Sequence, residues 1–118
     1  MNLKSKWASL ALMAFLGAMA TNAHSQTAYP NKPLKIVVPF GAGGVADLTA
    51  RTVAQKLGEN LGQSIVIENK PGAGGVVATD AVAKSAPDGY TLLLMSNATA
   101  VSAGLFITLP YDAEKDLT

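Results

Sequence analysis

The stretch Gly41-Ala42-Gly43-Gly44-Val45 returns as Gly72-Ala73-Gly74-Gly75-Val76. Each copy follows an apolar run and precedes a segment of helical periodicity. Glycine lets the backbone turn sharply, and it brings main-chain groups close to a ligand with no Cβ between. Two such loops at strand-to-helix junctions point to an open α/β sheet, where ligands bind at the carboxyl ends of the strands.

The rest of the chain fits that reading. Leu34–Val38 (LKIVV) is short, apolar and β-branched, and Pro39 stops it, which predicts a buried strand. From Val45 to Leu61 the pattern turns helical, with Ala46, Ala50, Val53, Leu57 and Leu61 three or four residues apart and Gly62 as the stop. Ser64–Glu68 predicts a second strand. A second helix begins near Gly74 or Gly75, runs to Lys84 or Ser85, and carries small residues suited to close packing. Ala86-Pro87-Asp88-Gly89 is a turn signal, and Thr91–Met95 predicts the third strand. Ser96–Leu105 reads as a loop or one short helix, and Leu109–Asp112 as irregular. Strands apolar on both faces, alternating with helices, imply a parallel sheet with right-handed crossovers. So small a sheet, with an open edge, reads as part of something larger.

The first residues read as a leader. Lys4 and Lys6 precede an apolar run from Trp7 to Ala20, and small residues then offer cleavage after Ser25 or after Ala23. This is the three-part plan of a secretory signal peptide, too short for a comfortable membrane span. Residues 1–25 are therefore assigned to the leader and 26–118 to the mature protein. The only tryptophan, Trp7, and the only histidine, His24, leave with a leader cut after Ser25. There is no cysteine, which excludes disulfides and thiolate metal sites. Without His or Cys, Ser-His-Asp, Cys-His and His-ligated zinc chemistry are excluded as well. The sequence thus argues against an enzyme of those classes, with no cofactor or metal expected. A formal charge of +1 with no basic cluster gives no footprint for nucleic acid.

Both glycine loops fall where the first turn of a helix offers free N–H groups and a favourable dipole to an anion. Ser96-Asn97-Ala98-Thr99 takes the equivalent place after the third strand. Side by side, the three strand ends would make a neutral-walled cradle for a small carboxylate or phosphate. Asp47 lies in the first turn of its helix, with capping as its default role and contact with a ligand amine or hydroxyl as the alternative. Lys70 reads as solvated, Arg51 as a surface or packing residue, and Tyr90 and Tyr111 as core or rim. A rival reading remains. Gly41-Ala42-Gly43-Gly44-Val45-Ala46 fits the looser dinucleotide fingerprint, with Glu68 placed as a ribose-binding acid of a Rossmann-like enzyme domain. Pro39-Phe40 before the first glycine is unusual for that motif.

Four ordered segments carry a resemblance: YPNKPLKIVVPFGAGGVADLTAR, LGQSIVIENKPGAGG, AKSAPDGYTLLL and LPYDAEKDLT. From Tyr29 onward the chain resembles the periplasmic receptors of tripartite tricarboxylate transporters, also called Bug receptors. The resemblance implies a two-lobed periplasmic-binding-protein fold of type II topology. It also implies capture of a small carboxylated metabolite and its delivery to membrane permease subunits. It assigns ligand binding, largely through main-chain N–H groups and water, to Phe40, Gly41, Ala42, Gly43, Gly44 and Asp47, to Gly74 and Gly75, and to Ser96, Asn97 and Thr99. Many members carry proline where Gly41 and Ala42 stand, which predicts a less rigid first loop here. Members also continue into a second lobe, so residues 26–118 read as the amino-terminal part of the first lobe, truncated before the second. A non-functional remnant is the other reading of that length.

Removal of the leader predicts a mature protein without tryptophan. Intact-mass analysis of a periplasmic extract should find a chain beginning at Gln26 or His24 with tyrosine-like emission, and retention of Met1 through Thr21 would contradict the assignment.

Overall fold

The computed structural model describes residues 28–117. The expected leader and both cleavage positions lie outside the described residues. Three strands, β1 (Leu34–Val38), β2 (Ile65–Asn69) and β3 (Thr91–Leu93), form one sheet in the order β2-β1-β3. Both pairings are parallel, with Leu34 opposite Ile65, Val38 opposite Asn69, and Ile36 opposite Leu92. Among the described residues three helices accompany them: α1 (Val45–Leu61), α2 (Val76–Ala83) and α3 (Asn97–Leu105). Among the described residues no helix is long and apolar enough to cross a membrane.

β1 and α1 have the bounds the sequence predicts. Gly62 ends α1 in the left-handed conformation (φ 65°), and its N–H donates to the Gly58 carbonyl, as a glycine past a helix end does. The buried face of α1 differs from the expected stripe. Asp47, Ala50 and Ala54 face inward, while Val53 is 53% exposed and Leu61 also lies outside. The two alanines bring the helix axis close to Ile36 and Val38, and half-buried Ala46, Ile65, Ile67 and Leu94 complete this cluster. A β-branched residue at their positions would hold the helix off the sheet.

β2 starts and ends one residue later than predicted, because its register on β1 takes Asn69 into the ladder opposite Val38. β3 is shorter than predicted, although Leu94 N still donates to the Val37 carbonyl at 2.9 Å. The second glycine loop forms a 3-10 turn over Ala73–Gly75 before α2 begins at Val76. The segment left open between loop and helix folds as α3. Strands apolar on both faces were also expected to be buried on both. β1 meets that expectation at every position but Lys35, whereas Val66 of β2 is 52% exposed. On β1, Ile36 and Val38 face α1, while Val37 points the other way, and α2 packs on β1 and β3.

Ahead of β1, the segment Tyr29–Lys32 is fastened to the turn that precedes β3. Tyr29 donates to the Gly89 carbonyl at 2.6 Å, and its ring meets Tyr90 edge-on at 5.0 Å. Asn31 N donates to the Tyr90 hydroxyl at 2.9 Å. Lys32 Nζ lies 4.3 Å from the Tyr90 ring centre and 3.0 Å from Asp88. Tyr90 thus belongs to the rim, while Tyr111 is buried.

Ile36 sits in the α1 cluster at 7% exposure. Ile36→Ala should lower unfolding free energy by about 2–5 kcal/mol. Val53→Ala, on the outward face, should change it by about 0.5 kcal/mol or less. Urea titration of both variants checks the contrast.

Candidate functional site

The three strand ends converge. β1 is central, so the loop after it is flanked by the loops after β2 and β3. Gly75 marks the meeting point. A Cβ built there would lie 3.5 Å from Pro39 Cβ and 3.6 Å from Thr99 Oγ1, residues that follow β1 and β3. Ser102 of α3 donates to the Gly74 carbonyl at 3.3 Å and ties the second loop to the third. The structure therefore brings together the three segments that the sequence assigns to one site.

The expected site residues divide by exposure and by what already occupies their polar groups. Phe40, Gly41, Ala42, Gly43 and Gly44 are exposed, as are Gly74 and Asn97. Asp47, Gly75 and Thr99 are buried, and Ser96 is half-buried. The Gly43 N–H is committed to Asp47 Oδ2 at 2.8 Å. That leaves Gly41, Ala42 and Gly44 as the first loop's candidates for a ligand anion. The Gly75 N–H donates to the Gly72 carbonyl at 2.9 Å. Gly75 therefore contributes a positive φ of 96° and the absence of a side chain rather than a donor. Ser96 N donates to Thr99 Oγ1 at 3.4 Å, and the two hydroxyls are 3.5 Å apart, so both cap α3. Asn97 Oδ1 accepts from the Ala98 amide at 2.9 Å.

Asp47 is 2% exposed and meets three partners. Besides the Gly43 amide, Arg51 Nε donates to Oδ2 at 3.0 Å and Asn69 Nδ2 donates to Oδ1 at 3.0 Å. The Arg51 guanidinium, then the Gly43 amide and the Asn69 amide, outweigh burial and hold the Asp47 carboxyl down to about 2. Of its two expected roles, this geometry supports the structural one: the carboxylate closes the first loop onto the end of β2.

Three residues outside the expected set take part. Arg51 lies one helical turn after Asp47, an i,i+4 spacing visible in the sequence. Asn69 carries no spacing signal of its own in the sequence, since its partners are 22 and 29 residues away. Lys70 does not stand free in water. It pairs with Glu68 at 2.8 Å, and Lys35 holds the same carboxylate at 2.9 Å. These lysines draw the Glu68 pKa below its ordinary value. The acid that a dinucleotide reading would turn toward a ribose is thus occupied twice.

Two cavities lie away from the glycine loops. One of about 490 Å³ runs along the outer edge of β3, between Val82, Pro87, Leu92 and Leu117. Another of about 390 Å³ lies between α1 and β2. Hollow volume marks the sheet's flanks, whereas the glycine loops form an open ledge. Among the described residues no group of acids could hold a metal ion.

Comparison with known proteins places these features in a family. The family described as "Tripartite tricarboxylate transporter family receptor" matches residues 49–118. Protein BugT of Bordetella pertussis is 47% identical over 95 residues, covering 79% of this chain and 29% of BugT. A Bordetella bronchiseptica protein is 44% identical over 110 residues, covering 92% of this chain and 33% of its own length. The chain therefore spans about a third or less of these curated relatives. Among solved structures, the periplasmic binding protein BugD superposes with a TM-score of 0.70 at 41% identity, over 75% of this chain and 29% of that one. MatC from Rhodopseudomonas palustris, solved with bound malate, superposes with a TM-score of 0.66 at 41% identity, over 75% of this chain and 30% of that one. An R. palustris protein solved with adipate gives 0.64 at 35% identity, over 73% of this chain and 29% of that one.

The lowered Asp47 pKa has a signed consequence. The unfolded chain protonates near the ordinary 3.8 and the folded one at about 2. The stabilisation is complete above the ordinary value and is lost as pH falls through about 2. Asp47→Asn should flatten that acid limb of stability against pH, as read by thermal unfolding between pH 5 and pH 2, and an unchanged limb would contradict the burial of this charge.

Proposed function

Since the chain belongs to the tripartite tricarboxylate transporter receptor family, we propose that it serves in the periplasm as a solute-binding receptor, or as the part of one that carries the first-lobe ledge. Its ligand is a small organic carboxylate, and its partners are the membrane permease subunits of a secondary transporter. The carrying observation is the convergence of the two glycine loops and the Ser96–Thr99 segment at Gly75, with donors and no competing acid exposed. The nearby acids support this reading because both are already neutralised, Asp47 by Arg51 and Glu68 by two lysines. An incoming carboxylate meets amide dipoles rather than a like charge. Malate in MatC and adipate in the R. palustris protein suggest dicarboxylates as the first probes.

Binding of this kind contains no bond-breaking step. The donors of the ledge exchange water for carboxylate oxygens, and each exchange nets about 0.5–1.5 kcal/mol. The ligand's other face stays wet on an open ledge, whereas small-molecule sites usually bury about 70% or more of it. Three or four such bonds, less the cost of association, give about millimolar affinity or weaker for the chain alone.

Calorimetry or NMR titration of the mature chain against malate, adipate, succinate, citrate and a neutral diamide analogue tests this. The expected result is a weak response to the dicarboxylates and none to the diamide. Gly75→Val should abolish it with the helices intact, since φ is 96° there and valine adopts such a backbone only under strain. Gly43→Val should act through φ of 82° alone, because a Cβ at that position meets nothing within 4 Å. Unchanged responses in both variants would reduce the loops to turns.

A further inference from the structure

The first glycine loop poses a physical problem. Phe40–Gly44 is exposed and three of its five residues are glycine, so its unfolded conformations are many and ordering it is costly. No proline restrains it. Something outside the loop must hold it.

Among the described residues, Asn69 is the one side chain that reaches both ends of the problem. Its Nδ2 donates to the Phe40 carbonyl at 3.0 Å, where the loop leaves β1. The same Nδ2 donates to Asp47 Oδ1 at 3.0 Å, and Asp47 Oδ2 accepts from Gly43. Its Oδ1 faces Arg51 Nη2 at 3.5 Å, while Arg51 Nε holds the same Asp47 oxygen that Gly43 uses. A carbonyl and a carboxylate only accept, and a guanidinium only donates. The three partners therefore fix which way the Asn69 amide points. Asn69 is the last residue of β2, opposite Val38, so the clamp is anchored in the sheet rather than in another loop.

We propose that Asn69 is a positioning residue for ligand binding: by orienting the Asp47 carboxylate and holding the Phe40 carbonyl, it sets the main-chain amides of Gly41, Ala42 and Gly44 in the arrangement that receives a carboxylate. The proposal rests on the site reading above and adds a residue to it that touches no ligand. Asp47 and Asn69 are coupled, since the bond between them aligns the bond that each makes to the loop, Asp47 to Gly43 and Asn69 to Phe40.

The test uses the full mature chain, with ¹⁵N NMR and malate as the probe. Asn69→Ala, Asp47→Ala and the double variant are compared with the wild type. The Gly43 amide proton, bonded to a carboxylate, should resonate downfield and exchange slowly. It should lose both properties in Asn69→Ala, although Asn69 does not touch Gly43. The amides of Lys35 and Leu94, which report the sheet, should stay protected in every variant. The apparent malate dissociation constant should rise about tenfold in either single variant, as expected for one charge-assisted bond lost. In the double variant it should rise by less than the product of the two single effects, as expected of coupled residues. A Gly43 signature and malate response unchanged in Asn69→Ala would overturn the positioning role, as would single effects that multiply in the double variant. Loss of Lys35 and Leu94 protection in Asn69→Ala would also overturn it, by making Asn69 a residue of global stability. Wild-type amides of Gly41, Ala42 and Gly44 indifferent to malate, adipate and citrate would overturn it at its root, the site reading itself.

Discussion

The main chain of β1 is bonded on both sides, and the site depends on that. The Val38 carbonyl accepts from Lys70 N at 2.8 Å, just past β2, and the Val37 carbonyl accepts from Leu94 N at 2.9 Å, just past β3. These two bonds bring the exits of all three strands to one level. If either neighbour slipped by one residue, its side chains would exchange faces and its loop would leave the ledge. Val38 is fully buried, so the alignment is also the best-packed point of the sheet. The order β2-β1-β3 then makes the first loop the middle one, at the place where successive connections depart in opposite directions.

The charges around the ledge follow from the same placement. Asp47 is drawn inward by the small face of α1, and a buried carboxylate needs partners. Arg51 supplies the compensating charge from the next turn, while Gly43 and Asn69 supply neutral donors. Beside it, Lys35 and Lys70 share the single carboxylate of Glu68, which leaves one positive charge in excess at the flank of the second loop. The ledge is thus neutral where an anion would sit and mildly positive to one side, a field that draws small anions without trapping them.

Much of this was legible in the sequence because it is local. The bounds of β1 and α1 follow from an apolar run, a proline and a closing glycine, all within a few residues. The repeated Gly-Ala-Gly-Gly marked two of the three segments that converge at Gly75, and Ser96–Thr99 the third. What stayed hidden was non-local. Asn69 bonds to Asp47 and Phe40 across the register of β1 on β2, and no spacing in the chain encodes that register. The inward face of α1 was misjudged for a related reason. Hydrophobicity favours Val53, but the sheet selects the alanines that let it approach. The amides of Gly43 and Gly75 serve the loops' own geometry, which only the turn conformations reveal.

The fastening of Tyr29–Lys32 against Asp88–Tyr90 fixes where the chain enters the fold. That contact precedes β1 and β3 and so lies at the amino ends of the parallel strands, whereas the glycine loops lie at the carboxyl ends. A strand of five residues separates the two poles by about 17 Å. Anything joined ahead of Tyr29, whether a flexible spacer, a dye or a solid support, therefore attaches on the side away from the ledge. Immobilised by that end, the molecule would stand with its glycine loops turned outward, an orientation suited to a surface sensor.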